Sequence, residues 1–261
     1  MLILNEEKYA KDLYDGKNQE IKSVMAKIRY ITRYLIHSLH KSDDDVYKDT
    51  VQWFKQYQNN FDESSYSNVI SDGIKAASKY PFYIIDNIKI TQSELKIISS
   101  LNNLRAEKIL FVLLCMAKQQ SMANGFTNGL VKYSITDLCK DARVSVPADD
   151  REYILYEIVK RGFLGYPKKN NTQCLIVNFI NNSDEVVLEL DGVDCQELAY
   201  VYLNWKNDGK GYTRCQKCSR WMKQSKTKPK KYCEDCAKVV QTEQKRLWAE
   251  KSRKNLTQQN D

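Results

Sequence analysis

Apolar residues over the first eighty positions recur with a helical beat. Ile21, Val24, Met25, Ile28, Ile31, Leu35 and Leu39 follow one another at three- and four-residue steps, which places them on one stripe of an amphipathic helix. The pattern repeats less cleanly over 46–61 and 64–79, and Pro81 closes it because a proline ring cannot continue a helix. Asp43-Asp44-Asp45 read as a first helical turn, where carboxylates complement the positive end of the dipole; a metal cluster is the other use of three such groups. His37 and His40, the only histidines, show no partner in the sequence. With no phosphate-cradling glycine loop, nucleophile motif or repeat, region 1–90 reads as a helical domain without assigned chemistry. Its stripes serve an ordinary core or, as the alternative, a homodimer contact.

The middle of the chain changes rhythm. Thr91-Gln92-Ser93-Glu94 has capping-box spacing and opens a short helix through Leu101, and 104–120 is apolar nearly all round, the mark of a buried central helix. A short helix over 134–144 follows. Ser145 opens another running from Pro147 to Arg161, and Gly162 stops it. Phe163 to Tyr166 and Cys174 to Phe179 read as two strands around a turn at 167–171, Glu185 to Leu190 as a third strand, and Cys195 to Trp205 as a helix. Long helix, short helix, turn, helix and two-stranded wing is a winged helix-turn-helix order. The stretch 104–180 resembles the winged-helix family at Ile135-Thr136-Asp137-Leu138, at Val144-Ser145 and at Ile158 to Leu164. That resemblance implies an apolar residue fixing the first helix, a small polar cap on the recognition helix, and a glycine-apolar ending that leads into the wing. Winged helices also dock on proteins. Here the recognition helix would begin Pro147-Ala148-Asp149-Asp150-Arg151-Glu152, with three carboxylates where phosphates would sit, an arrangement that compensation of the helix dipole explains equally well. Arg151 is the base-contact candidate, and Lys168 and Lys169 at the wing tip are the backbone-contact candidates.

Asn207-Asp208-Gly209-Lys210-Gly211 reads as a linker, giving domains 1–90, 91–206 and 207–261. Beyond it, Cys215, Cys218, Cys233 and Cys236 form two Cys-x-x-Cys pairs with fourteen residues between them. Two such pairs supply four soft thiolates converging on a tetrahedral Zn²⁺, and with every position filled by sulfur the ion is structural. A redox reading needs a single pair opening a helix after a strand, which two pairs do not match. The text between the pairs, with its tip at 225–229, reads as a hairpin, and the second pair runs into good helix formers. That order suits a treble-clef finger; a plain zinc ribbon is the variant.

Charge sharpens the picture. Residues 206–254 hold sixteen Lys and Arg against five Asp and Glu, a local net of +11, whereas the whole chain carries +8, so the remainder is at −3. A basic, metal-stapled segment is the electrostatic footprint of a nucleic-acid binder, with Lys217, Arg220, Lys223, Lys226, Lys228, Lys230, Lys231, Lys245 and Arg246 as phosphate contacts. The plainer use of those lysines is solubility. Tyr212, Trp221, Tyr232 and Trp248 would cover the metal as a miniature core, or stack on bases. Cys115, Cys139, Cys174 and Cys195 lack partner spacing and read as reduced core thiols of a cytosolic or nuclear protein. Asn5 to Lys8 interrupts the apolar start, so no signal peptide is expected, and the longest uncharged apolar run, 109–117, is too short for a bilayer.

Cys215-Gln216-Lys217-Cys218 and Tyr232-Cys233-Glu234-Asp235-Cys236-Ala237, with the apolar helix 109–117 upstream, resemble bacteriophage and prophage proteins that join a central winged helix to a C-terminal four-cysteine finger and basic tail helix. The resemblance covers 91–254. It implies a mobile-element origin, a bacterial cytoplasm and no catalytic residues. The expected protein is mainly α, binds structural Zn²⁺, is not an enzyme, and binds nucleic acid, DNA first, in transcription or replication control. The alternative is an interaction protein docking on a host nucleoprotein complex such as a polymerase or defence system.

Overall fold

A computed structural model describes residues 2–17, 23–125, 128–168, 174–225 and 227–257, with side chains through Lys251. These residues are mainly helical, with ten α-helices and seven short strands. The chain divides into two compact units, Leu2–Ile88 with Gln119–Phe126, and Lys89–Lys118 with Thr127–Asp261.

The N-terminal unit is built from α1 (Glu6–Tyr14), α2 (Val24–His37), α3 (Asp43–Tyr57) and α4 (Glu63–Lys79). Hydroxyl and carboxyl caps start the helices by accepting otherwise orphaned backbone N–H groups: Ser42 Oγ accepts from Asp45 N, and Asp62 Oδ1 from Ser64 N. Asp43, Asp44 and Asp45 occupy the first turn of α3, as the dipole argument expects. Leu13, Ile28, Ile31, Leu35, Val46, Phe54 and Ile70 form the core with Val24 packed against it, whereas Met25 and Leu39 of the expected stripe are exposed, Leu39 beyond the end of α2; Ile21 lies outside the described residues. The polar α1 was not expected from the sequence. It packs through Tyr9, Ala10 and Leu13, and its Glu6 forms a buried ion pair with Arg33 at 2.7 Å. Arg33 Nε also donates to the Tyr80 carbonyl, and its guanidinium stacks on Phe82, so the buried charge is fully dressed. His37 is not solitary either, since its Nε2 lies 2.8 Å from the Ala77 carbonyl oxygen.

In the second unit, Thr91 and Glu94 close the expected capping box of α5 (Gln92–Ser99). Glu94 is buried and pairs with Lys118 of α6 (Leu104–Asn124) at 2.8 Å, while accepting backbone N–H groups from Thr91 and Asn181. Helix α6 is buried along Ile109 to Cys115. Ser134 caps α7 (Ile135–Asp141), and α8 (Ala148–Lys160) ends at Gly162, whose φ of 80° is the left-handed conformation a glycine adopts without strain. The cap of α8 is Pro147, without a side-chain bond, rather than the expected Ser145.

Strands β2 (Leu130–Lys132), β3 (Leu164–Gly165) and β4 (Cys174–Val177) form an antiparallel sheet in the order β2-β4-β3, with Val131 opposite Leu175 and Leu164 opposite Val177. The sheet has one strand more than the sequence suggested. Gly129, at φ 65°, leads into β2 where a Cβ would collide with the Val177 carbonyl. The turn expected at 167–171 falls largely outside the described residues. Strand β5 (Val186–Leu190) pairs with β1 (Ile88–Thr91) and not with the wing strands. A 3-10 turn at Asp194–Gln196 then enters α9 (Leu198–Lys206). The expected linker is an ordered helix ending, in which Gly209 N donates to Asn204 O at 2.8 Å. Cys115, Cys139, Cys174 and Cys195 are buried free thiols.

Candidate metal centre and its basic surface

Strands β6 (Tyr212–Arg214) and β7 (Trp221–Lys223) pair antiparallel, with Arg214 opposite Trp221. The hairpin therefore straddles the first Cys-x-x-Cys instead of following it, as the sequence reading had placed it. The cause is local: Cys215 N donates to Arg220 O and Ser219 N to Cys215 O, both at 2.9 Å, with Ser219 at φ 59°. The cysteine pair is itself the turn. The segment expected to hold the hairpin tip is tied sideways by Gln224, whose amide exchanges two hydrogen bonds with the Lys230 backbone. It returns the chain so that Gln216 N donates to Lys231 O. Helix α10 (Glu234–Thr257) then starts, with Cys233 immediately before it and Cys236 in its first turn.

The four thiols converge. All four Sγ atoms lie within 4.8 Å of one another, and Cys218 Sγ is 3.7 Å from Cys233 Sγ. A tetrahedron of sulfurs with metal bonds of about 2.3 Å has edges of roughly 3.8 Å. This is the only such group among the described residues. No two of its sulfurs are joined, so the donor set is four free thiols able to hold a metal ion. Burial works against ionising Cys215, but the backbone N–H groups of Cys233, Cys218 and Lys217 outweigh it and bring the thiol down to about 6. Burial pushes Cys218 and Cys236 up, and at Cys236 the neighbouring thiols add to the rise. Four sulfurs this close cannot all carry charge unaided; a divalent cation removes that conflict by binding them as thiolates.

A buried carboxylate stands at the centre of the contacts that fasten the module to the rest of its unit. Asp194 Oδ1 accepts from Arg214 Nη2 and from Trp221 Nε1, each at 2.6 Å. Arg214 stacks on the Trp221 ring at 5.2 Å, and Tyr212 packs against Tyr200 of α9 with ring centroids 5.3 Å apart. Tyr212 and Trp221 thus seat the hairpin on α9, a role different from the expected cover over the metal, while Trp248 on α10 is 74% exposed. Sequence reasoning missed Asp194. Twenty residues separate it from Arg214 and no spacing rule links the two.

Lys217, Lys223, Lys228, Lys230, Lys231, Lys245 and Arg246 are exposed on this module and its helix. Arg220 is half-buried, 3.7 Å from Asp235, and Arg246 pairs with Glu243. Lys168 is exposed after β3, whereas Lys169 and Lys226 lie outside the described residues. Arg151 is half-buried and folds back, its Nε donating to the Val146 carbonyl at 3.2 Å; Asp149, Asp150 and Glu152 around it are exposed. Among the described residues no helix is long and apolar enough to cross a membrane. No protein-family model, curated protein or solved structure matches the chain.

Proposed function

We propose that the chain is a zinc-dependent, non-enzymatic nucleic-acid-binding regulator of a bacteriophage or other mobile element, acting on transcription or replication in the cytoplasm of a bacterial host. The observation that carries this reading is a cluster of four free thiols, their sulfurs within 4.8 Å of one another, placed inside the segment whose net charge is +11. Soft sulfur ligands in a closed tetrahedron favour Zn²⁺ and leave no position for water or substrate, so the ion staples the fold. A knuckle in a hairpin followed by a knuckle at a helix start suits the treble-clef reading. Helices α6, α7 and α8 with the β2-β4-β3 sheet suit a winged helix, giving functional regions 1–90, 91–206 and 207–261. The finger supplies phosphate affinity, and DNA is the first ligand to test.

The test is binding of zinc-loaded protein to labelled duplex DNA, single-stranded DNA and RNA at two salt concentrations. Affinity should fall steeply with salt as condensed counterions are released, and replacing Lys230 and Lys231 by Gln should shallow the log–log slope by up to about 2. Loss of binding in the Cys215→Ser/Cys218→Ser protein places the surface in the finger. Absence of binding to every nucleic acid rejects the reading.

A second reading has its own observation. The start of α8 presents Asp149, Asp150 and Glu152 while Arg151 is drawn back, an acidic surface better suited to a basic protein partner than to phosphates. In this reading the chain docks on a host nucleoprotein complex and modulates or inhibits it. A stoichiometric host protein retained after nuclease treatment, and lost in Asp149→Lys/Asp150→Lys, supports it; recovery of nucleic acid alone rejects it.

A further inference from the structure

The cysteine module and the body of its unit form a groove of about 670 Å³ beside the four-thiol cluster. Tyr200 of α9 and Trp221 and Tyr232 of the module line it, together with Lys223, Lys230 and Lys231. Those three lysines make no ion pair among the described residues, whereas the arginines of the same groove are already matched, Arg143 to Glu197 at 2.5 Å and Arg220 to Asp235 at 3.7 Å. The groove also carries the carboxylates of Glu197, Glu234 and Asp235, but these are matched to Arg143, Lys238 and Arg220, so aromatic side chains stand beside three ammonium groups without an ion-pair partner among the described residues.

Two of its aromatic rings are held in place. Trp221 is fixed at its Nε1 by Asp194 and braced by Arg214. Tyr200 is braced by the Arg143 guanidinium, 4.3 Å from its centroid, and by the Tyr212 ring. Fixed aromatic platforms lose little freedom when a flat ligand stacks on them, and every nucleobase presents such a face. In a duplex those faces are already stacked on their neighbours, so only an unpaired strand can use both halves of the groove: bases against rings, phosphates against lysines. The cavity volume lies within the range of small-ligand sites, enough for a base and its sugar-phosphate and too confined for a double helix.

We infer that this groove binds single-stranded nucleic acid, with a base stacked among Tyr200, Trp221 and Tyr232 and the flanking phosphates on Lys223, Lys230 and Lys231. The inference rests on the nucleic-acid reading above and narrows it to unpaired strands; the 2′-hydroxyl distinguishes RNA from DNA within the same chemistry.

The experiment is fluorescence anisotropy on the zinc-loaded full chain with labelled twelve-nucleotide oligothymidine, oligouridine, a fully abasic twelve-mer and a twenty-base-pair duplex. Tyr232→Ala, Tyr232→Phe and Lys230→Gln/Lys231→Gln are run beside the parent, with zinc content and circular dichroism checked for each. Tighter binding of a single strand than of the duplex is expected. Tyr232→Ala should weaken the single strand roughly 5- to 100-fold, leave the abasic strand unchanged, and be rescued by Tyr232→Phe. The lysine variant should weaken both single strands and the abasic strand. Equal loss on abasic and normal strands, or native affinity in Tyr232→Ala, overturns the stacking groove. Duplex binding without single-strand preference overturns it while sparing the broader reading, and silence with every nucleic acid removes both. Displacement of oligothymidine by polyglutamate at equal charge concentration would assign the groove to an acidic protein segment instead and likewise overturn it.

Discussion

The helical unit formed by α1 to α4 and the cysteine module solve the same problem by opposite means. The first buries Leu13, Ile28, Ile31, Leu35, Phe54 and Ile70 almost completely. Of the described residues from β6 onward, only Cys215 and Met222 are buried apolar residues. Burying a Leu, Ile or Phe side chain contributes about 1.5–3 kcal/mol, so the helical unit accumulates its stability from many independent increments. The module has almost none of these. Its order comes from two concentrated sources, the four sulfurs and the Asp194 junction. The difference teaches where each region is fragile: the first fails gradually as its core is eroded, the second all at once.

Removing the metal is the harshest way to break this contrast. Chelation, or Cys215→Ser with Cys218→Ser, should unfold the module outright, because a structural zinc ion, which we propose these thiols hold, supplies on the order of 10 kcal/mol or more. Hydrogen exchange should show loss of protection across β6, β7 and the start of α10, with α2 to α4 unchanged. The reciprocal test is Phe54→Ala or Leu35→Ala, which should cost about 2–5 kcal/mol in the helical unit while metal content stays at that of the parent. Equal loss in both regions from either change would erase the distinction.

Asp194→Ala probes the junction. It leaves the Trp221 indole N–H without its acceptor and leaves the part-exposed Arg214 guanidinium only its longer pair with Asp191, an expected cost of about 1–3 kcal/mol felt as faster exchange at the hairpin and a shift in tryptophan emission, with thiol geometry retained. Ser42→Ala is the mildest probe. Losing the cap that accepts from Asp45 should lower the melting free energy of the helical unit by about 1 kcal/mol and leave the module untouched.

These contrasts also explain what could be read in the linear chain. Ser134, Gly162, the Thr91–Glu94 box and the two Cys-x-x-Cys pairs act over a few residues, and each marks its place in the structure as local chemistry requires. The pairing of β1 with β5, the extra strand β2 and the docking of Trp221 on Asp194 are set by partners distant in the chain, so short apolar runs carried no sign of them. The hairpin was misplaced for a related reason: its strands are three residues each, and the bonds that set their register belong to the cysteine turn itself. Helix α1 escaped notice because only its inner face is apolar, and the buried pair of Glu6 with Arg33 reads in sequence as two surface charges.

Helix α10 carries a mechanical consequence. At 1.5 Å per residue its twenty-four residues extend about 36 Å, close to one full turn of a B-form duplex, yet the cysteine cluster grips only its first turn. It is a cantilever with its clamp at one end. Lys245 and Arg246 ride roughly 15 Å out along the beam, so the cysteine cluster fixes the direction in which distant charges are presented. A change of a few degrees at the four sulfurs becomes a displacement of about an ångström at those side chains.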